Sequence, residues 1–151
     1  MDKGLLLKTA FCCMACDGDI APEEIRVISE FANDSQTFSG LDVQKIINGY
    51  VIEINQKGSA FLAGYLEEVK NAQLDDPAAI QLLDIAMKII EADNVVEYSE
   101  ISFFKNIRSQ LTVSDNVLYE RFPGKDDYLL PDIIAPKLND WHGAFSTIEL
   151  N

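Results

Sequence analysis

One histidine, one tryptophan and three cysteines among 151 residues leave little of the usual catalytic equipment. His142 stands alone near the end of the chain, far from the cysteines, which argues against Ser-His and Cys-His nucleophilic catalysis. The sequence holds no phosphate-binding glycine loop and no nucleophile elbow. Basic residues are scarce: 12 Lys and Arg face 25 Asp and Glu, a formal charge of −13. That balance argues against nucleic acid and anionic membrane as partners, because both require a basic footprint. It suits cations or the basic surface of another protein. No apolar run approaches the roughly 18–20 residues of a membrane span.

The cysteines, Cys12, Cys13 and Cys16, are too few and too close together for a secreted disulfide framework. Leu5-Leu6-Leu7 and Phe11-Cys12-Cys13-Met14 invite comparison with a signal peptide. However, Asp2 beside Lys3 gives no basic leader and Lys8 interrupts the run, so the segment reads as a folded amphipathic helix. A cytoplasmic protein is the expectation.

A hydrophobic fraction of 48% supplies a core for one domain over residues 1–151. Helical periodicity recurs along the chain. Val43, Ile46, Ile47, Tyr50, Val51 and Ile54 follow the spacing of an amphipathic helix, as do Leu62, Tyr65, Leu66 and Val69. Pro22, Lys57-Gly58-Ser59, Asp76-Pro77 and Ser114 mark starts and stops. The pattern predicts helices near 2–16, 22–33, 41–56, 59–74, 77–92, 98–111 and 114–121. The expected fold is all-α, a compact bundle of about seven helices. From Pro123 onward, prolines and glycines break any long helix, yet Tyr128, Leu129, Leu130, Ile133, Ile134, Trp141, Phe145 and Ile148 are too apolar for a free tail. Residues 123–151 therefore read as an extended arm on the core formed by 1–122, with docking on another chain as the rival reading.

The strongest internal signal is a passage that occurs twice. Residues 10–28 superpose on 86–104 at an offset of 76, placing Asp17 on Asp93, Gly18 on Asn94, Glu24 on Glu100 and Ile25 on Ile101. Gly and Asn are the residues that best tolerate a left-handed turn after a helix. Each copy reads as helix, acidic turn, then a helix with Glu in its first turn, so the bundle should contain duplicated helical hairpins.

Two readings of the repeated acids compete. In one, Asp17 organises its turn while Glu24 and Glu100 cap the following helices. In the other, Asp17, Asp19 and Glu24, with Asp93, Glu97 and Glu100 in the second copy, offer oxygen ligands to calcium or magnesium. Such a site would not be an EF-hand, because Pro22 and Ile28 occupy the places of its glycine and bidentate acid. Cys13-Met14-Ala15-Cys16 has CxxC spacing and raises a thiol-based redox or metal alternative. A zinc site wants four ligands, and small cysteines packed inside a helix are the plainer account.

The Asp17-Gly18 turn, the Pro22-Glu23-Glu24 helix start and the second Ala92-Asp93…Glu100 copy resemble the TerB-like family, named for tellurite-resistance proteins. A related domain begins a DnaJ-like membrane co-chaperone. The resemblance covers about residues 1–112, with Cys16 in place of the usual small residue, Asn94 in place of glycine and no proline in the second turn. It implies a compact helical domain with an acidic, metal-binding surface, tied to stress response and without an established catalytic reaction. Taken together, the expectation is a non-enzymatic binding module with protein partners, its oligomeric state open. The alternative is an interaction domain whose acidic turns are purely structural.

Overall fold

A computed structural model describes residues 2–34, 36–92, 94, 96–129 and 145–150. Its helices are α1 (Lys3–Ala15), α2 (Pro22–Asp34), α3 (Val43–Lys57), α4 (Ser59–Ala72), α5 (Asp76–Ile90), α6 (Tyr98–Ser109), α7 (Asp115–Arg121) and α8 (Asp126–Leu129). A 3-10 turn over Gln36–Phe38 links α2 to α3. The chain is an all-α bundle, and no strand occurs among the described residues.

Local chemistry explains the helix starts. The Asp2 carboxylate accepts from the amide of Gly4 at 2.9 Å, Asp42 from Lys45 at 3.2 Å, and Asp75 from Ala78 at 3.0 Å. Each bond satisfies an amide that the first helical turn leaves without an internal partner. Pro77 occupies the first turn of α5, where its missing N–H costs nothing. Gly58 ends α3 at φ 59° and opens α4, with its own N–H donating to Ile54 O at 2.7 Å.

The expectation of an amphipathic α1 is corrected by the packing. Leu5, Leu6, Leu7 and every residue from Thr9 to Ala15 are buried, so α1 is apolar on all sides and runs through the centre. Its most extensive neighbour is α5, and α3, α4 and α6 close around it. A helix that contacts partners all round has no face to give to water. Its one buried hydroxyl is satisfied, since Thr9 Oγ1 donates to Leu5 O at 2.8 Å and lies 2.6 Å from the Tyr65 hydroxyl.

The two central helices, α1 and α5, are the first helices of the two repeated hairpins. The second helices share one neighbour: α2 packs on α5, while α6 packs mainly on α5 and also on α1. The α2–α5 and α1–α6 contacts are the pair that a pseudo-twofold duplication relates, whereas the close α5–α6 packing has no equal between α1 and α2.

The C-terminal expectation needs revision at its start. Residues Asp126–Leu129 are helical, because Asp126 and Asp127 supply first-turn acids and the Lys125 carbonyl accepts from Tyr128 and Leu129. Tyr128 and Leu129 are buried against α6. Residues 145–150 are extended along α3 of their own chain, with Ile148 buried. Leu130, Ile133, Ile134, Trp141 and His142 lie outside the described residues. No described helix is long and apolar enough to cross a membrane.

Candidate functional site

The duplicated turns share the bonds that follow, and the second copy adds one, since the Glu97 side chain accepts from the Glu100 amide where Ala21 has no acceptor to offer. Gly18 N–H donates to Ala15 O at 3.0 Å, and its counterpart Asn94 donates to Glu91 O at 3.1 Å. Both residues take the left-handed conformation, Gly18 at φ 86° and Asn94 at φ 61°, the geometry that Gly and Asn tolerate best. Past each turn, Glu24 Oε1 accepts from the Ala21 amide at 2.8 Å, and Glu100 Oε1 accepts from the Glu97 amide at 3.0 Å. The reciprocal backbone bonds, Glu24 N–H to Ala21 O and Glu100 N–H to Glu97 O, are both 3.1 Å.

Both glutamates are buried, at 5% and 7% exposure, which is unusual for the residue type. Their burial follows from their position. A carboxylate at the third helical position meets the positive end of the helix dipole and an amide donor at once. Asp17, by contrast, is exposed, and its Oδ1 accepts from the Asp19 amide at 3.0 Å. That turn amide offsets the unfavourable placement of an acid just after a helix C-terminus.

This geometry separates the acids proposed as cation ligands. Asp17 and Asp19 are exposed, whereas the Glu24 carboxylate turns back beneath the start of α2. Glu97 is exposed and Glu100 is buried. Among the described residues, no three acids, thiols or imidazoles form a group that could hold a metal ion. Asp17, Asp19 and Glu24 are all described, so the first turn does not assemble the expected trio. Asp93 lies outside the described residues, so the second trio is not defined.

The cysteines sit at the end of the central helix. Cys12 and Cys13 are fully buried, and Cys16 is partly exposed with its Sγ 3.4 Å from Cys13 O. Burial pushes all three thiols well above their ordinary range. For Cys13 and Cys16, neighbouring thiols and the carboxylates of Glu24 and Glu100 add to the rise. A raised pKa removes the thiolate that nucleophilic or metal-binding chemistry requires. Cys12 and Cys13 should therefore react with a thiol reagent orders of magnitude more slowly in the native chain than in denaturant. Cys16 should be intermediate. Rapid native labelling of two thiols per chain would contradict this packing.

A cavity of about 480 Å³ lies beside the start of α1. Lys8 reaches into it but is engaged by Glu68 at 2.6 Å, with its ammonium 4.9 Å from the Phe61 ring centre. Burial pushes the Tyr50 hydroxyl on its wall up to about 12. Glu68 meets the Lys8 charge, and the second acid of the lining, Asp2, is engaged by the Gly4 amide at the start of α1.

Sequence reasoning missed a polar row on α3. Gln44, Asn48 and Asn55 line one side of that helix and bind the backbone of residues 145–150. Asn55 accepts from the Phe145 amide at 2.8 Å and donates to its carbonyl at 3.0 Å. Asn48 does the same for Ile148, at 2.9 and 3.0 Å. Gln44 accepts from the Leu150 amide at 2.9 Å and also donates to Ile148 O. The available signal was three amides spaced four and seven residues apart beside an apolar stripe.

Fold and site together define an all-α protein built on a duplicated helical hairpin with a backbone-reading amide row. No family model, no curated protein and no solved structure matches the chain.

Proposed function

We propose that this chain is a non-enzymatic binding module that engages partner proteins through its acidic surface, and that its repeated turns hold the hairpins together. The observation that carries this reading is the equivalence of Glu24 and Glu100, each buried and each bonded to the amide that precedes its own helix. Carboxylates committed to helix starts in both copies serve architecture, leaving the remaining exposed acids to give the surface its sign. The net charge of −13 favours a basic partner. The resemblance of residues 1–112 to the TerB-like family supports a stress-response setting of the tellurite-resistance type.

The test is a pair of NMR titrations on the full chain, one with calcium and one with a lysine-rich polypeptide. The polypeptide should shift surface amides in a salt-dependent way. Calcium at about 10 mM, the weak end of extracellular-module affinity, should neither shift the 17–24 amides nor raise the melting temperature. Asp17→Asn and Glu24→Gln should each cost little, since both replacements keep the accepting oxygen. Glu24→Ala should cost about 1–2 kcal/mol by orphaning a partly buried amide. A calcium-induced rise in melting temperature that Asp17→Asn abolishes would restore the cation site and overturn the architectural reading.

A further inference from the structure

The row formed by Gln44, Asn48 and Asn55 binds residues 145–150 almost without reference to their side chains. Every hydrogen bond described above joins a side-chain amide of α3 to a backbone N–H or C=O of the segment. The two spacings agree. Steps of seven and four residues along a helix are about 10 and 6 Å. The opposing steps from Phe145 to Ile148 and from Ile148 to Leu150 are about 10 and 7 Å in extended chain. Asn48 and Asn55 each present one donor and one acceptor to the N–H and C=O of a single residue, which is how a neighbouring β-strand would pair with it. The row therefore recognises extended backbone as such, and many sequences satisfy it.

Side-chain selection falls on three places, because Phe145 and Leu150 are half-buried against the core on either side of Ile148. Ile148 is buried at 4% exposure, while Ser146, Thr147 and Glu149 are exposed. Beside the row, on the next turn after Asn48, Ile52 is 63% exposed, an apolar contact that the resident segment leaves largely uncovered. The helix thus has more binding capacity than its own chain uses.

We propose that this face of α3 is a binding groove for an extended segment of a partner polypeptide, and that residues 145–150 are its built-in competitor. The partner segment would carry apolar side chains at the places of Phe145, Ile148 and Leu150, a further apolar residue over Ile52, and basic residues outside the row. The charge decides against a second copy as the occupant, because two chains of −13 repel one another. The proposal rests on the interaction-module reading and names the surface that module uses. A tethered segment competes at an effective concentration in the millimolar range, so occupancy by the partner depends on release of residues 145–150.

The test uses the full chain and a labelled peptide, Lys-Phe-Ser-Thr-Ile-Lys-Leu-Lys, followed by fluorescence anisotropy. Ile148→Asp should release the resident segment, and the peptide should bind that variant at least tenfold more tightly than the unaltered chain. Adding Asn48→Ala to Ile148→Asp should remove the gain. Hydrogen exchange on the unaltered chain serves if Ile148→Asp does not fold. There, saturating peptide should speed exchange of the Phe145, Ile148 and Leu150 amides that the row now holds. Peptide binding that ignores both substitutions and leaves those amides protected would overturn the groove while leaving a binding module. Absence of peptide binding at any concentration would remove both readings. A peptide-free dimer of the unaltered chain, dissolved by Asn48→Ala in sedimentation, would replace the partner with a second copy and overturn the proposal.

Discussion

A chain ending at Phe122 will lose most of its stability, with a melting temperature lower by about 20 °C or without a cooperative transition. Among the described residues, truncation removes three buried side chains: Tyr128, Leu129 and Ile148. At about 1.5–3 kcal/mol each, their loss approaches the roughly 5–15 kcal/mol that holds an ordinary domain together. About 2–4 °C of melting temperature accompanies each kcal/mol in a chain of this size. Polar contacts add to the loss. Arg108 Nη1 donates to Leu129 O at 2.7 Å, and Lys125 Nζ and the Tyr128 hydroxyl both donate to Glu91, at 2.6 and 3.2 Å. The Tyr128 ring also stands edge-on to Phe104 with centres 5.1 Å apart. A chain ending at Leu129 keeps all of these and should melt between the two. Calorimetry of the three lengths checks the order, and equal melting temperatures would show that residues 123–151 contribute nothing to the core.

Phe11→Ala will cost about 3–5 kcal/mol, the range for deleting a fully enclosed aromatic ring. Phe11 has no exposed surface and meets two other rings, Tyr50 at 5.5 Å and Phe61 at 5.8 Å between centres. Those two rings also face each other at 5.9 Å, so the three form a closed cluster where α1, α3 and α4 meet. Removing the central ring leaves a void that backbones on three helices prevent from closing. Tyr65→Phe offers a contrast in the same core. It deletes the hydroxyl beside Thr9, but Thr9 still donates to Leu5 O, so the cost should be about 0.5–1.5 kcal/mol. Urea denaturation of both variants gives the comparison. A cost below about 2 kcal/mol for Phe11→Ala would mean that the cluster relaxes into the space.

The repeat was legible because its signals are local. Gly18 and Asn94 announce left-handed turns, and Glu24 and Glu100 announce helix starts, through bonds that span three residues or fewer. The choice between capping and cation binding was not legible in the same way. It depended on whether the Glu24 and Glu100 carboxylates are buried beneath their helices or face outward with Asp17 and Glu97, which neighbouring elements determine.

The sequence by itself determined the helices, their caps and the duplicated hairpin, because periodicity and terminal hydrogen bonds act within a few residues. It could not show that α1 is enclosed on every side. Lys8 looks like the edge of a wet face until Glu68, Tyr50 and Phe61 from α3 and α4 surround its ammonium. Nor could it show that Gln44, Asn48 and Asn55 do more than face solvent. Their partners lie 90 to 106 residues away in the chain. A backbone-reading contact leaves no mark in the sequence of the segment it holds, since any residue but proline offers the same N–H and C=O. Only the tertiary structure, by laying residues 145–150 along α3, decided that role.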